Sequence, residues 1–368
     1  MKPLVQHVYR PEDVTFLLTD LTGQVEEISV EEKERRIDQG ISYSEMISKE
    51  EAPLPQTKEL FEQLVQTKRQ AIADYIRIVS EAIYQAKQGE VVLVSLARAG
   101  TPFGILIKRY LEQKYQIKVP HYSVSIIRGK GIDTQALTFI LSQHSDRSIQ
   151  FVDGWTGKGS IIDELERSIL QFNHVHQTEI SADLAVVADP ARRCRLYGTH
   201  LDVNLPNSCL NATVGGLISR TICSSDLLEG KDFHGAIYLS RLEEHDQSQW
   251  FVHQIESVFI FEDLTPTEQL SIANRQVHQK YATMVARQIQ ATYQVKDFHK
   301  VKLSIGESAR VLLRRQPRLL LIKDETLEDV QPLLQLAQAK NVPIQRLKED
   351  EGGHYQAIAI IEEVESNG

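Results

Sequence analysis

Hydrophobic positions change their spacing along this chain, and each change marks a different architecture. Residues 1–55 are polar and irregular, with short apolar pieces such as Val14–Leu18. Over residues 56–88 apolar side chains recur at helical spacing, through Leu60, Leu64, Ala71, Tyr75, Ile78, Val79 and Ala82, and Gly89 suits a C-cap. Short apolar runs then alternate with amphipathic stretches. The runs Val91–Leu96, His121–Ile127, Ile149–Val152, Leu184–Ala188 and Ala236–Leu239 predict strands. The stretches from Pro102 to about Tyr115, Thr134–Ser142 and Ile161–Phe172 predict helices. This alternation predicts an α/β fold with a mostly parallel, covered sheet, whose ligands gather at the carboxyl ends of the strands.

Residues 264–297 read as helical, starting at Thr265-Pro266-Thr267-Glu268. Beyond Val301, helices over Gly306–Arg315 and Leu327–Lys340 interleave with strands over Arg318–Ile322, Pro343–Leu347 and Tyr355–Ile361, which predicts a small α/β/α sandwich. The expected division is a main domain over 1–255 with a helical extension over 1–89, a helical linker over 256–299, and a small domain over 300–368.

Composition sets limits on partners and compartment. The chain has 368 residues, of which 42% are hydrophobic and 25% charged, enough for packed cores. A net charge of -9 argues against non-specific nucleic-acid binding by the whole surface, leaving only local basic patches. The three cysteines, Cys194, Cys209 and Cys223, show no zinc-site spacing and fit a reducing compartment. The first residues lack the apolar run of a signal peptide, and no stretch reaches the length of a membrane span, so a cytoplasmic protein is expected.

Four segments concentrate chemistry. In the first, a strand ends at Asp153 and runs into Gly154, Trp155, Thr156, Gly157, Lys158, Gly159 and Ser160 at a helix start. Backbone N–H groups, two hydroxyls and a lysine in such a turn suit a phosphate, and Asp153 suits ribose hydroxyls or a hydrated Mg²⁺. In the second, Arg98, Ala99, Gly100 and Thr101 join strand to helix, and the fork of donors on Arg98 suits a pyrophosphate. The third, Arg128-Gly129-Lys130-Gly131, is a basic turn able to close over an anion. The fourth spans Asp189–Arg193 and Leu205–Arg220, where Asn211, Ser219 and Arg220 are candidates for reading an acceptor.

These turns resemble the phosphoribosyl-diphosphate (PRPP) and pyrophosphate loops of type I phosphoribosyltransferases. More specifically, Ser95–Gly104, Tyr122–Asp133, Val152–Ser160 and Leu210–Arg220 resemble the StiP family, phosphoribosyltransferase-like proteins of tellurium-resistance and stress operons. Lys302–Glu307 and Arg310–Arg315 look like the Pelota-like RNA-binding domain found at the C-terminus of many members. One departure stands out: the usual loop has two adjacent acids, whereas here Asp153 is followed by Gly154.

The resemblance implies transfer of phosphoribose from PRPP, with Mg²⁺, to an unidentified base-like acceptor. Arg98 and residues 98–101 would hold the leaving pyrophosphate, residues 156–160 the 5-phosphate, and Asp153 the ribose. Arg128 and Lys130 would close the site. A non-catalytic regulator that binds a nucleotide or PRPP and RNA is the alternative. The family label also implies a cysteine protease, for which Cys209 is the candidate nucleophile and His200 or His234 the base. Expected partners are a small-molecule substrate and RNA, the latter through Arg310, Arg314 and Arg315. A homodimer is compatible and no membrane is expected.

Overall fold

The structure is a computed structural model that describes residues 6–224, 226–314 and 317–361. Arg315 lies outside the described residues. Six strands form the main sheet: β1 (Thr15–Leu17), β2 (Val92–Leu96), β3 (His121–Val124), β4 (Ile149–Trp155), β5 (Leu184–Ala188) and β6 (Leu196–Thr199). Their order is β1-β3-β2-β4-β5-β6, and every pairing is parallel. β2 and β5 are buried at every position, as a sheet covered on both faces requires.

The faces divide by the period of two. Leu93 packs among residues of α2 (Pro55–Ala86) and α3 (Thr101–Tyr115), including Ile76, Val79, Ile107 and Tyr110. Val92, Val94 and Leu96 point the other way, onto α4 (Thr134–Leu141) and α5 (Ser160–His176), meeting Ile140, Leu165 and Ile169. Each such fully buried aliphatic side chain contributes roughly 1.5–3 kcal/mol. The α2 stripe that reaches the core is Leu60, Phe61, Leu64, Val65, Ile72, Ala73, Ile76, Val79 and Ile83. Ala71, Tyr75 and Ile78 are only half buried, on its flank.

Three further departures from the sequence reading have simple causes. β1 sits in the segment read as irregular, because three residues beside β3 are too few to show a period. β6 was not foreseen, since Leu196-Tyr197-Gly198-Thr199 is an edge strand with a half-polar face. The expected strand at Ala236–Leu239 shrinks to Gly235–Ala236, paired with Thr19–Asp20 outside the main sheet.

The helical stretch after residue 264 is two helices, α6 being Ser248–Glu256, α7 Pro266–Ala273 and α8 Tyr281–Thr292. α8 belongs to the C-terminal core. There β7 (Val301–Leu303), β8 (Pro317–Ile322), β9 (Ile344–Arg346) and β10 (Ala357–Ile361) form a mixed sheet in the order β7-β10-β8-β9. One face carries α8 through Val285, Ala286 and Ile289; the other carries α9 (Ile305–Arg314) and α10 (Gln331–Ala339) through Ala309, Leu312 and Leu333. No helix among the described residues is long and apolar enough to cross a membrane.

This second unit docks against the carboxyl edge of the main sheet. The Tyr355 hydroxyl donates to the Gly157 carbonyl at 2.9 Å, and Asn204 meets Asp329 through two hydrogen bonds. Asp202 accepts from the backbone N–H groups of Ile305 (3.0 Å) and Gln356 (2.8 Å), which caps α9 from the main domain.

Candidate functional site

Docking brings charged residues of α9 against the strand ends of the main sheet. Arg98, whose preceding peptide bond is cis, reaches the Glu50 carboxylate at 2.5 Å and donates to the Ile218 carbonyl at 2.7 Å. Arg314 donates to the Asn211 side-chain oxygen. Arg310 lies 4.2 Å over the Trp155 ring and 3.4 Å from Glu307. Arg220 lies 4.1 Å over the Tyr43 ring. Two of the expected RNA-binding cations thus face inward, Arg314 onto Asn211 and Arg310 onto the turn that follows Asp153.

Burial dominates the electrostatics where the two meet. Desolvation pushes Asp153 up to about 6, against the pull of Arg310 and the Gly154 N–H, with Glu307 adding to the rise. Desolvation, then Lys302 and Arg128, push Lys158 down to about 7. Arg314 keeps solvent access yet is ringed by protein; desolvation, Arg310 and Arg98 push it down to about 9.

Other expected site residues have their polar atoms committed inside the fold. The Thr156 hydroxyl donates to Asp189 at 2.7 Å and accepts from the Ala191 N–H. Thr101 is fully buried against the Ser123 hydroxyl at 2.8 Å. Ser219 is fully buried, donating to the Arg220 carbonyl and accepting from Ile237. Lys158 donates to the Phe298 carbonyl at 2.7 Å. Gly157 lies beneath α9, where an added Cβ would stand 2.8 Å from Glu307 Cγ. A Cβ on Gly154 would meet Phe103 at 2.6 Å, and one on Gly100 would meet the Val152 carbonyl at 2.7 Å. Gly159 packs on Arg193, and the Ala99 carbonyl accepts from Asn207. Ser160 opens α5. Corrected for these contacts, residues 154–160 are a covered βα turn rather than an open phosphate cradle. Arg128 is exposed, beside His299 at 2.8 Å, with its carbonyl held by Tyr43. Among the described residues no cluster of three or more His, Cys, Asp or Glu could hold a metal ion.

The cysteines sort by environment. Cys209 is 1% exposed, and burial pushes its thiol up to about 11, with the Ser208 hydroxyl its polar neighbour at 3.9 Å. His200 is engaged elsewhere, by the Asp189 carbonyl and the Tyr197 ring. Cys209 as nucleophile is thus corrected: a buried neutral thiol without a base is inert. Cys194 is also buried and its thiol is raised well above the ordinary value by desolvation.

Cys223 differs. It is partly exposed and lies one residue past Ile222, which exchanges two 2.9 Å hydrogen bonds with Gly235 in an antiparallel bridge. Cys223 and His234 are the residues that flank this bridge on one side. Both residues share Lys130 and Asp133 as charged neighbours. The Ser125 hydroxyl donates to Thr221 at 2.8 Å and so accepts from His234 Nδ1 at 2.9 Å. That tautomer leaves Nε2 as an acceptor. Asp133 caps α4 and accepts from the His234 backbone N–H at 2.6 Å, which fixes the strand carrying the imidazole. Desolvation raises the Cys223 thiol, against Lys130, and lowers His234, so the pair rests neutral. The sequence signal for it was a hairpin: two alternating segments, Arg220–Ser224 and Phe233–Ala236, around a loop containing Gly230.

Comparison with known proteins bears on which chemistry applies. Residues 7–256 match the family model described as tellurite-like stress resistance cysteine protease StiP, and residues 280–363 match the PELOTA RNA binding domain. A curated relative from Acinetobacter baylyi (strain ATCC 33305 / BD413 / ADP1), named cysteine protease StiP, is 34% identical over 365 residues, 97% of this chain and 94% of the relative. These names overturn the expectation of a PRPP-dependent transferase and of its non-catalytic alternative, since the matched descriptions speak of a cysteine protease. The chain belongs to the StiP family and carries a Pelota-type domain at its C-terminal end.

Proposed function

We propose that this protein is a cysteine peptidase whose nucleophile is Cys223 and whose general base is His234. The reading rests on the one partly exposed thiol, which lies next to the Ile222–Gly235 bridge, across from the segment that bears His234, an imidazole oriented by Ser125. His234 Nε2 takes the Cys223 proton as the sulfur attacks a peptide carbonyl carbon, and the imidazolium then returns that proton to the leaving amine. The thioester that remains is hydrolysed by water, which His234 deprotonates in turn; this frees the carboxylate product and restores the thiol. Lys130 favours the thiolate as it forms, and Ser125 keeps the imidazole in the useful tautomer. The family name supports a thiol nucleophile, and burial argues against the other two cysteines.

The parallel sheet with its chemistry at the carboxyl edge supports a phosphoribosyltransferase-like fold put to a different use. Contact with RNA through the C-terminal domain is part of the same reading, with the exposed Arg314 available to it.

Hydrolysis of a fluorogenic peptide library tests the assignment. Cys223→Ser and His234→Gln should abolish turnover, while Cys209→Ser retains it. Iodoacetamide labelling of the native protein should modify Cys223 in preference to Cys194 and Cys209. Full activity in Cys223→Ser, or no hydrolysis by folded wild type across the library, would sink the proposal.

A further inference from the structure

Polar residues recur along a stripe of α2 that the core does not use. Glu59, Glu62, Gln63 and Gln66 stand at positions i, i+3, i+4 and i+7, which share one face of a helix, while Leu60, Phe61, Leu64 and Val65 are buried. The neighbouring helix α6 brings Trp250 beside that stripe. Its ring packs against Phe61 with centroids 5.8 Å apart, and it is only half buried. With Thr67, these side chains line one groove of about 460 Å³ between the two helices. A volume of that size lies within the range of ligand clefts. Beside Gln66 the helices are tied by Gln254, whose side-chain oxygen accepts from Gln66 at 3.0 Å and from Arg69 at 3.4 Å.

Charge is unbalanced at the other end. Glu59 accepts from the Gln63 amide at 3.4 Å and, among the described residues, has no cation within ion-pair distance. Glu62 has Lys58 at 3.9 Å, with both side chains exposed. Two carboxylates therefore share one lysine, and one negative charge is left over beside an open indole.

We propose that this groove docks a protein segment through one arginine side chain, its guanidinium at Glu59 and Glu62 and its flat face on Trp250. One leftover negative charge calls for one cation. Tryptophan is the best aromatic partner for a cation, and a guanidinium also stacks on it as a plane. Its fork of donors fits a carboxylate more closely than an ammonium does. Past the acids the groove continues along Gln63, Gln66 and Thr67, uncharged groups suited to an extended backbone, and it is open along its length, as a polypeptide requires. Arg69 at the Gln66 end repels a cation and so favours the Glu59 end. The net charge of -9 attracts basic partners in general, and the groove gives one side chain of such a partner a defined seat. No residue of this groove belongs to the Cys223 assignment, so the proposal stands or falls without it.

Fluorine NMR of the full chain labelled with fluorotryptophan tests it. The chain has 2 tryptophans, Trp155 and Trp250, and Trp250→Phe assigns their resonances. The probes are the blocked pentapeptide Ac-Ala-Ala-Arg-Ala-Ala-NH2, its glutamine counterpart, and N-acetylarginine amide. The arginine pentapeptide should shift the Trp250 resonance to saturation and leave Trp155 in place. Millimolar affinity is expected, because exposed cation–π and ion-pair contacts are individually modest. The double variant Glu59→Gln with Glu62→Gln, at surface positions that leave the fold intact, should bind about threefold to tenfold more weakly. N-acetylarginine amide should bind more weakly than the pentapeptide, since it lacks the flanking chain. An equal shift with the glutamine peptide, equal affinity for N-acetylarginine amide, unchanged affinity in the double variant, or a silent Trp250 resonance would each overturn the proposal.

Discussion

Asp202 offers a quantitative handle on how the C-terminal domain is held. Its carboxylate is 6% exposed and accepts from Ile305 and Gln356, so it joins the main domain to the start of α9 and to the chain entering β10. Desolvation raises its pKa from 3.8 to about 7, against the three backbone N–H groups that favour the charged form. The sign follows from proton counting. Between about pH 4 and pH 7 the folded protein keeps a proton that the unfolded chain has released, so this residue's contribution declines as pH rises through that window. At about 1.4 kcal/mol per pKa unit, the loss is bounded near 4 kcal/mol. Asp202→Ala would strand two buried N–H donors, at about 1–3 kcal/mol each. At pH 5 that loss dominates and the variant should be less stable by a few kcal/mol. By pH 8 relief of the buried charge offsets most of it, and the two proteins should approach one another. Asp202→Asn, which cannot ionise, should lack this slope altogether. Urea unfolding in a Trp250→Phe background is the assay, because Trp155 then becomes the lone tryptophan and sits beneath Arg310 of α9. Comparing variants cancels the titration of the other groups. A stability difference between wild type and Asp202→Asn that stays constant from pH 4 to pH 8 would refute the reasoning.

Two further predictions concern the scaffold behind the site. Gly104→Ala ordinarily strengthens a helix by up to about 1 kcal/mol, but here the new Cβ would stand 2.0 Å from the Ser95 hydroxyl and 2.4 Å from His121 Nε2. A loss of roughly 1–3 kcal/mol is expected instead in thermal melting, and a stabilised variant would disprove the close approach. Arg109 is buried and bonded to both Asp13 and Glu256, so Arg109→Met should leave the buried Asp13 carboxylate unpaired and cost about 3–5 kcal/mol in chemical denaturation, whereas a neutral outcome would show the pairs to be expendable.

Local pattern alone determined much of this protein. The run Val92–Leu96, the long helix α2 and the strand–turn–helix at Asp153 were legible because burial on both faces, or along one stripe, imposes a period on neighbouring residues. The same logic drew attention to Arg98 and Asp153, at the carboxyl ends of their strands, and to Asn211 and Arg220. What those residues do was decided elsewhere. Thr156 and Ser219 looked like ligand-binding hydroxyls, and only the packed structure commits them to Asp189 and to the Arg220 and Ile237 backbone. Arg310 and Arg314 read as RNA-binding residues, yet docking turns them onto Trp155 and Asn211 of the main domain. Cys209 and Cys223 are indistinguishable as letters. They separate through the burial of one and the partial exposure of the other, which lies beside the Ile222–Gly235 bridge. Reactivity depends on desolvation and on partners that only the fold brings together, such as Ser125 beside His234.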